Sequence, residues 1–136
     1  MRNIVIASHH RLAQGMADTL EFVTGFDGAR VLCAFVDDAE TDPSERIAAL
    51  MGELNPEDET FVFTDMLGGS VTQRFCPFMG ERTHLICGMN LPLVLEVALS
   101  GPEPFSPEQV EELVAGAREG IVYVNRHAAA SLDEDE

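Results

Sequence analysis

The stretch VIASHHRLAQG, Val5 to Gly15, passes from an apolar run into a polar segment with two adjacent histidines. Beyond those histidines, apolar residues recur every three or four positions at Leu12, Met16, Leu20 and Val23. This period is typical of an amphipathic helix and the following Gly25 of a helix end, so we predict a helix over residues 11–24. The stretch is therefore the junction of a strand and a helix, with His9 and His10 at that junction.

Further short apolar runs follow along the chain, separated by helical patterns. Together with the first, they are IVIA (4–7), VLCAFV (31–36), TFVFT (60–64), HLICG (84–88) and IVYV (121–124). Their hydrophobicity is continuous rather than alternating, which is typical of strands covered on both faces. The runs predict an α/β fold, an open and mostly parallel doubly wound sheet of about four to five strands in a three-layer α/β/α arrangement.

Two helices are predicted from capping signals at their first residues. In TDPSER, Asp42 is the expected N-cap, a proline follows it, and Glu45 completes a capping box. Near the end of the chain, Ser106 and Gln109 repeat that arrangement around another proline. The buried stripe expected for this last helix consists of Val110, Leu113, Val114 and Ala117, with Gly120 as its end.

Length and charge limit the classes of function. With 136 residues, the chain has the size of a single domain. We expect that domain to occupy residues 1–125, and residues 126–136, which end in SLDEDE, to be an acidic disordered tail. The formal net charge of −16 argues against nucleic-acid binding, because phosphates would be repelled. A macromolecular partner is expected to be basic where it docks.

The cysteines and the first residues indicate a cytoplasmic protein. Cys33, Cys76 and Cys87 are odd in number and far apart, so neither a disulfide framework nor a structural zinc site is expected. No apolar run approaches the roughly 18 residues of a membrane span. The N-terminal residues MRNIVIASHH also lack the long hydrophobic region of a signal peptide.

Three segments with functional potential begin where a predicted strand ends. They are Ser8-His9-His10, TDMLGGS (64–70) and GMNLP (88–92). The carboxyl ends of parallel strands share one edge of a sheet, and ligands bind beyond that edge. The sequence therefore predicts that a histidine, an aspartate and a glycine loop converge there.

These residue types suit phosphoryl chemistry on a histidine. An Asp65 carboxylate that accepts a hydrogen bond from one ring nitrogen would orient the ring and leave the other nitrogen free as a nucleophile. Gly68 and Gly69 allow backbone N–H groups to approach a phosphoryl group closely. A plain tight turn and a helix-capping aspartate remain as alternatives. Neither GxGxxG nor GxxxxGK[ST] occurs, so an ATP or dinucleotide site has no support, and no cofactor is expected.

A metal site is a competing interpretation of the same residues. Two histidines and a carboxylate, here His9, His10 and Asp65, form a recognised ligand set. Adjacent strand residues point to opposite faces, however, so both histidines could share a metal only if the chain has already turned. We expect no metal site. His84 and His127 have no other catalytic or metal-binding residue type at a suitable spacing. We expect His84 to lie at the start of a strand and His127 to be a solvated surface residue.

The three segments resemble the IIA domains of the mannose/fructose/sorbose class of the bacterial phosphoenolpyruvate-dependent sugar phosphotransferase system. The resemblance extends from residue 1 to about residue 125 and rests on three ordered motifs. SHHRLAQG is similar to the family's SHGxLAxG, DMLGGSV is similar to DLxGGSP, and GMNLP is similar to GxNxPM.

The resemblance implies a phosphocarrier. His9 would accept a phosphoryl group from the histidine-phosphorylated carrier protein HPr and pass it to a IIB component, with the membrane subunits IIC and IID acting later on the sugar. Asp65 would orient His9, and Gly68, Gly69 and Ser70 would hold the phosphoryl oxygens. His10 and Asn90 would be secondary residues of the site. Family members also tend to be homodimers.

The sequence departs from the family motifs at two positions, and three other functions remain as alternatives to the phosphocarrier. His10 replaces a glycine beside the nucleophile, and Val71 replaces a proline after the glycine loop. His10 is interpreted first as an exposed bystander, then as a secondary contact to the phosphate or the partner, and last as the phosphoryl acceptor itself. The other functions are a phosphotransfer subunit that serves dihydroxyacetone kinase, a regulatory module whose partners detect its phosphorylation state, and an unrelated flavodoxin-like ligand-binding domain.

Overall fold

The strands of the protein form one parallel sheet with the order β2-β1-β3-β4 in the computed structural model, which describes residues 1–127. The strands are β1 Arg2–His9, β2 Arg30–Ala34, β3 Glu59–Thr64 and β4 Thr83–Ile86. The helices are α1 Leu12–Thr24, α2 Ser44–Gly52, α3 Ser70–Phe75, α4 Leu91–Leu99 and α5 Pro107–Arg118, and a short 3-10 helix, Cys76–Phe78, follows α3. The predicted open, doubly wound α/β fold is confirmed.

Each face of the sheet has its own apolar core. One core joins alternate residues of β1 and β3, among them Ile4, Ile6 and Phe61, to α1, α4 and α5. The other joins Val5 and Ala7 of β1 to α2 and α3. β1 and β3 are thus covered on both faces, which explains why their sequences are continuously apolar.

The strand order places a crevice between the ends of β1 and β3. After β1 the chain crosses to β2 on one side, and after β2 it returns to β3 on the other side of β1. Ala7 pairs with Thr64 in the register of these central strands, so the residues that follow both positions lie side by side. Such a reversal of strand order is where doubly wound sheets bind their ligands.

The capping predictions hold for α5 and need a correction for α2. Ser106 and Gln109 form the expected capping box of α5. In contrast, α2 begins at Ser44 with Pro43 as its N-cap residue, and no side-chain cap bond is made at that position. The Asp42 carboxylate accepts a hydrogen bond from the backbone N–H of Ser44 instead, two residues along. This local turn starts the helix without the capping box.

The buried face of α1 differs from the predicted stripe. Leu20 is buried, but Leu12 and Val23 are both about half exposed, and Ala13 is fully buried in their place. The helix packs against β1, β2 and α4, and alanine allows such close packing because it has little bulk. The residues 11–24 predicted for the helix agree with the observed Leu12–Thr24, and Gly25 ends it with a φ of 80°.

The prediction of a strand at residues 121–124 is wrong for the chain described. No strand pairs with this segment within residues 1–127, and Ile121 is 77% exposed. The backbone N–H of His127 instead bonds to the carbonyl of Tyr123, which starts a helical turn. A run of β-branched residues forms a strand only where a neighbouring strand is available to pair with it. The predicted tail of residues 126–136 lies mostly outside the described residues.

The amino ends of the strands carry a buried ionic cluster. The Glu59 carboxylate contacts the Arg2 guanidinium at 2.8 Å and the His84 ring at 3.1 Å. Arg2 also donates to backbone carbonyls of the α4–α5 connection. Burial raises the pKa of Glu59, but hydrogen bonds from Phe105, Arg2 and His84 outweigh burial and lower it. His84 therefore belongs to a structural cluster at the opposite edge from the glycine loop.

Among the helices of residues 1–127, none is both long enough and apolar enough to cross a bilayer.

Candidate functional site

His9 and Asp65 meet at the carboxyl edge of the sheet, as predicted. His9 is the last residue of β1, and Asp65 directly follows β3. The Asp65 Oδ2 atom accepts the backbone N–H of His9 at 2.7 Å and lies 2.8 Å from the Nδ1 atom of the same residue. The Asp65 side chain is 10% exposed, whereas that of His9 is 33% exposed. One buried carboxylate thus fixes a histidine that remains open to solvent.

The charge of Asp65 decides the tautomer of His9. Burial raises the pKa of Asp65, but hydrogen bonds from the backbone and side chain of His9 outweigh burial, so the pKa lies below its ordinary value. Asp65 is then ionised at neutral pH and can only accept hydrogen bonds. The proton must therefore reside on Nδ1 of His9. In the neutral ring, Nε2 keeps its lone pair and can act as a nucleophile.

The glycine loop lies beside Nε2. The Ser70 Oγ atom is 3.4 Å from Nε2 of His9. Gly68 has a φ of 77°, which a glycine adopts without strain. Within residues 1–127, the backbone N–H groups of Gly68 and Ser70 make no hydrogen bond. The Ser70 hydroxyl is thus within hydrogen-bond range of Nε2, and two amides of the same loop have no partner among the described residues.

Gly69 is required for a different reason, which is space. A Cβ atom added there would lie 3.1 Å from Cε1 of His9 and 3.1 Å from Cγ of Met66. The φ of Gly69 is −75° and its ψ is 154°, values that any residue adopts. The absence of a side chain therefore serves the close approach of His9 rather than the backbone conformation.

Two residues of α3 support the glycine loop: Arg74 bonds to its backbone, and Val71 packs in the core next to it. The Arg74 guanidinium donates to the Ser70 carbonyl at 2.9 Å and to the Asp42 carboxylate at 2.8 Å. The hydrogen bonds from Ser44 and Arg74 lower the pKa of Asp42 to about 2. Val71, at the position of the motif's proline, is fully buried in the core on the α2 and α3 side. The valine that replaces the motif's proline therefore contributes to this apolar core.

His10 is separated from His9 by the turn of the chain. His10 is exposed and has a φ of 55°, and its backbone N–H bonds to the Ala34 carbonyl of β2 at 2.7 Å. Its side chain makes no hydrogen bond to any residue from 1 to 127. No group of three His, Cys, Asp or Glu side chains suited to a metal occurs in this part of the chain. The left-handed φ also explains why a glycine suits this position in the motif.

Asn90 lies near the site but is occupied by structural contacts. Its Oδ1 atom accepts the backbone N–H of Leu93 and caps α4, while its Nδ2 group donates to the Ala117 carbonyl of α5. The preceding Met89 donates its N–H to the Thr64 carbonyl at the end of β3. Asn90 thus connects α4 and α5 beside the edge that carries Asp65.

Phe35 is a component of the site that sequence reasoning missed. Its ring stacks on the His9 ring with a centroid distance of 5.6 Å and an interplanar angle of 30°. Phe35 follows β2 directly and has a φ of 65°. Its place near the end of the second apolar run was visible, but contact with His9 depends on the positive φ. No pattern in the sequence gives that angle for a phenylalanine.

Together these contacts suit a histidine that accepts a group from a large donor. The nucleophile has a fixed tautomer, and its free nitrogen faces a glycine loop with hydrogen-bond donors. Because the His9 side chain is partly exposed, a donor on the surface of another macromolecule can reach it. Electrophilic groups that carry several oxygens, such as a phosphoryl group, match the donors of the loop.

Comparisons with known proteins give a consistent result. Residues 3–114 match a family described as the fructose IIA component of the phosphotransferase system (PTS). A proposed phosphoenolpyruvate-dependent sugar PTS permease from Klebsiella pneumoniae subsp. pneumoniae MGH 78578 is 31% identical, with a TM-score of 0.84 and 93% of each chain covered. A PTS IIA protein associated with the fucose utilization operon of Streptococcus pneumoniae is 26% identical, with a TM-score of 0.73 over 93% of this chain and 96% of that chain.

A structure with lower identity shares the fold. The mannose/sorbose specific IIA subunit from Enterococcus faecalis is 20% identical, with a TM-score of 0.76 over 89% of this chain and 92% of that chain. No curated protein matches the sequence.

Proposed function

Because the chain belongs to the family of PTS fructose IIA components, and is therefore a sugar PTS IIA subunit, we propose that it is a phosphocarrier that receives and donates a phosphoryl group on His9. The observation that carries the proposal is the Asp65 carboxylate at 2.8 Å from Nδ1, which leaves Nε2 as the free nitrogen. HPr is the proposed donor and a IIB component the proposed acceptor. The membrane subunits IIC and IID then act on the sugar, and they are indirect partners that do not contact this chain.

The chemistry of the phosphoryl transfer follows from the position of the His9 proton on Nδ1. The Nε2 lone pair of His9 attacks the phosphorus of a phosphohistidine on HPr, so a nitrogen–phosphorus bond forms at Nε2 while the bond to the donor nitrogen breaks. The electron pair of the broken bond returns to the donor ring. The proton on Nδ1 stays in place, and the His9 ring becomes cationic beside the ionised Asp65 carboxylate. The same steps in reverse pass the group to IIB.

Three elements of the glycine loop would bind the phosphoryl oxygens. These are the backbone N–H groups of Gly68 and Ser70 and the hydroxyl of Ser70, which lies 3.4 Å from Nε2. Hydrogen bonds to developing charge in a fixed geometry are a strong source of rate enhancement. Asn90 is proposed as a secondary residue that holds α4 and α5 beside the site, and His10 as an exposed bystander of the transfer.

Gly69→Ala is expected to lower the rate of phosphoryl acceptance on the order of 10²-fold, because the new methyl group displaces the His9 ring and small misplacements are costly. The matched control is Gly116→Ala, an exposed position of α5 where an added Cβ meets no atom within 4 Å. The measurement is the phosphorylation rate of both variants and the wild type with the same donor. Equal rates for Gly69→Ala and the wild type would contradict the packing of His9 against the loop.

The partner-facing surface around the site combines apolar and acidic groups. Met66 and Leu67 project from the glycine loop, and Leu67 is 83% exposed. Asp37 and Asp38 are exposed in the neighbouring β2–α2 connection. A partner that docks here would present an apolar patch with basic residues, consistent with the net charge of −16.

Reconstitution of the relay tests the proposal. The purified protein is incubated with phosphoenolpyruvate, enzyme I and HPr, and intact mass is read before and after adding a IIB component. We expect one acid-labile phosphate on the protein, which disappears when IIB is added. A phosphorylated protein that serves only a dihydroxyacetone kinase would support that alternative role. Binding of HPr without phosphate transfer would support a regulatory module.

The exposed apolar residues after α5 are the basis for a proposed homodimer. Ile121, Val122, Tyr123 and Val124 form a contiguous exposed run. A contiguous apolar surface of this kind favours association, and we propose that it packs against a second copy. Light scattering after gel filtration should give a dimer for the wild type, and Ile121→Asp together with Tyr123→Asp should shift it to monomer. A monomeric wild type at micromolar concentration would contradict the homodimer.

A further inference from the structure

Phe35 has a backbone conformation that bulky residues rarely adopt. Its φ of 65° lies in the left-handed region, where the Cβ atom of any residue except glycine crowds the carbonyl oxygen. A turn alone would favour glycine at this position. A phenylalanine in this conformation indicates that neighbouring contacts compensate for the strain, and the question is which purpose the ring serves.

A neighbouring ion pair holds Phe35 in place. The Glu40 carboxylate accepts the backbone N–H of Phe35 at 2.8 Å, and Nη1 of Arg46 lies 2.9 Å from each oxygen of the same carboxylate. Arg46 also donates to the Cys33 carbonyl at 3.2 Å. The Glu40 side chain is only 15% exposed. The hydrogen bond from Phe35 and that from Arg46 lower the pKa of Glu40, so the ion pair is present at neutral pH.

The ring of Phe35 lies against the ring that changes charge. The two centroids are 5.6 Å apart, within the roughly 6 Å over which an aromatic face attracts a cation. The His9 ring becomes cationic when Nε2 takes a phosphoryl group while Nδ1 keeps its proton. Contact with Phe35 also restricts rotation of the His9 ring, which must keep Nδ1 at Asp65 and Nε2 at the glycine loop.

We propose that Phe35, held by the Glu40–Arg46 ion pair, is a positioning residue for His9. It acts by fixing the plane of the imidazole ring and by favouring its cationic state. The inference rests on the proposed function, because only phosphoryl transfer makes the ring cationic in this way. Phe35 belongs neither to the motif with His9 nor to the glycine loop.

The first test measures the tautomer of His9, which reports the orientation of its ring, in the absence of phosphate. Long-range ¹H–¹⁵N correlation spectra report the protonated nitrogen of the His9 ring in wild type, Phe35→Leu and Phe35→Tyr. Leucine keeps an apolar side chain without an aromatic face, whereas tyrosine keeps the aromatic face and adds a hydroxyl group. We expect one Nδ1–H tautomer for wild type and Phe35→Tyr, and a mixture of tautomers for Phe35→Leu. A single unchanged tautomer in Phe35→Leu would overturn the positioning role.

The second test measures phosphoryl acceptance by the same three proteins, from phospho-HPr and from phosphoramidate. Phe35→Leu is expected to accept about tenfold more slowly from both donors, as loss of an aromatic contact to a cation implies, and Phe35→Tyr to restore the rate. Equal slowing by leucine and tyrosine would overturn the inference, because it would show that shape rather than the aromatic face matters. Thermal unfolding of each variant checks that the fold is intact.

Arg46→Met tests the ion pair without touching either ring. Arg46 is half exposed, and methionine keeps part of its apolar stem, so the fold is expected to persist. We expect a smaller slowing in the same direction and some loss of the single tautomer, whereas behaviour identical to wild type would overturn the role of the ion pair. If wild-type protein accepts no phosphate from either donor, the proposed function fails, and the tautomer spectra still decide whether Phe35 positions His9.

Discussion

Replacing His9 with glutamine is expected to abolish phosphoryl acceptance. Glutamine occupies similar space and its amide can still approach the Asp65 carboxylate, which lies 2.8 Å from Nδ1 of His9. An amide nitrogen, however, has no available lone pair, so no nitrogen–phosphorus bond can form at this position. Intact mass after incubation with phosphoenolpyruvate, enzyme I and HPr measures the result directly. Because the substitution is nearly isosteric, the loss can be assigned to chemistry rather than to unfolding.

His10→Ala is the matched control for that loss. His10 is exposed, and its side chain makes no hydrogen bond within the described part of the chain, so alanine should keep most of the rate and the full extent of phosphorylation. Surface substitutions of this kind change stability little. Phosphate that persists in His9→Gln and vanishes in His10→Ala would identify His10 as the acceptor and contradict the assignment.

Replacing Asp65 with asparagine is expected to lower the rate of phosphoryl acceptance on the order of 10⁴-fold, the loss known for a catalytic histidine whose tautomer-setting aspartate is replaced by asparagine. Asparagine can accept the backbone N–H of His9 through its carbonyl, but it carries no charge to stabilise the cationic ring. Asp65→Ala should be at least as slow, because it also leaves that N–H without its partner at 2.7 Å. Stopped reactions with phospho-HPr give the rates, and a loss of less than about tenfold would contradict the role of the charge.

Stability against pH gives an independent check on Asp65. The pKa of Asp65 is held below its ordinary value of 3.8 by the hydrogen bonds from His9, which outweigh burial. A carboxylate with a depressed pKa stabilises the fold above its unfolded pKa, and that contribution is lost as the pH falls through its folded value. Wild type should therefore exceed Asp65→Asn in free energy of unfolding at neutral pH, with the difference shrinking below about pH 4. A difference that is constant with pH would show that the charge of Asp65 does not stabilise the fold.

The sequence made the convergence of His9 and Asp65 predictable. Continuous apolar runs indicated parallel strands, and parallel strands present their carboxyl ends at one edge, so residues that follow β1 and β3 had to lie near each other. The same reasoning placed the loop of Gly68, Gly69 and Ser70 beside them, and the structure brings Asp65, Gly69 and Ser70 against the His9 ring. Topology alone gave this result, without any knowledge of side-chain rotamers.

Other parts of the site depend on contacts that local patterns do not contain. The stacking of Phe35 on His9 requires a positive φ maintained by Glu40, five residues further along the chain. Arg74 reaches both the glycine loop and Asp42 across the α2–α3 face. The wrong strand at residues 121–124 has the same origin, since strand formation depends on a neighbour as well as on β propensity. The roles of such side chains depend on the tertiary structure and cannot be predicted from local sequence patterns.

The identity of the phosphorylated nitrogen tests the proposed chemistry most directly. Protein labelled with ¹⁵N in histidine is phosphorylated through HPr, and its long-range ¹H–¹⁵N spectrum assigns the phosphate to one ring nitrogen of one histidine. We predict phosphate on Nε2 of His9 with the proton retained on Nδ1, because Asp65 holds that proton at 2.8 Å. Phosphate on Nδ1 of His9, or on either nitrogen of His10, would contradict the role assigned to the His9–Asp65 pair.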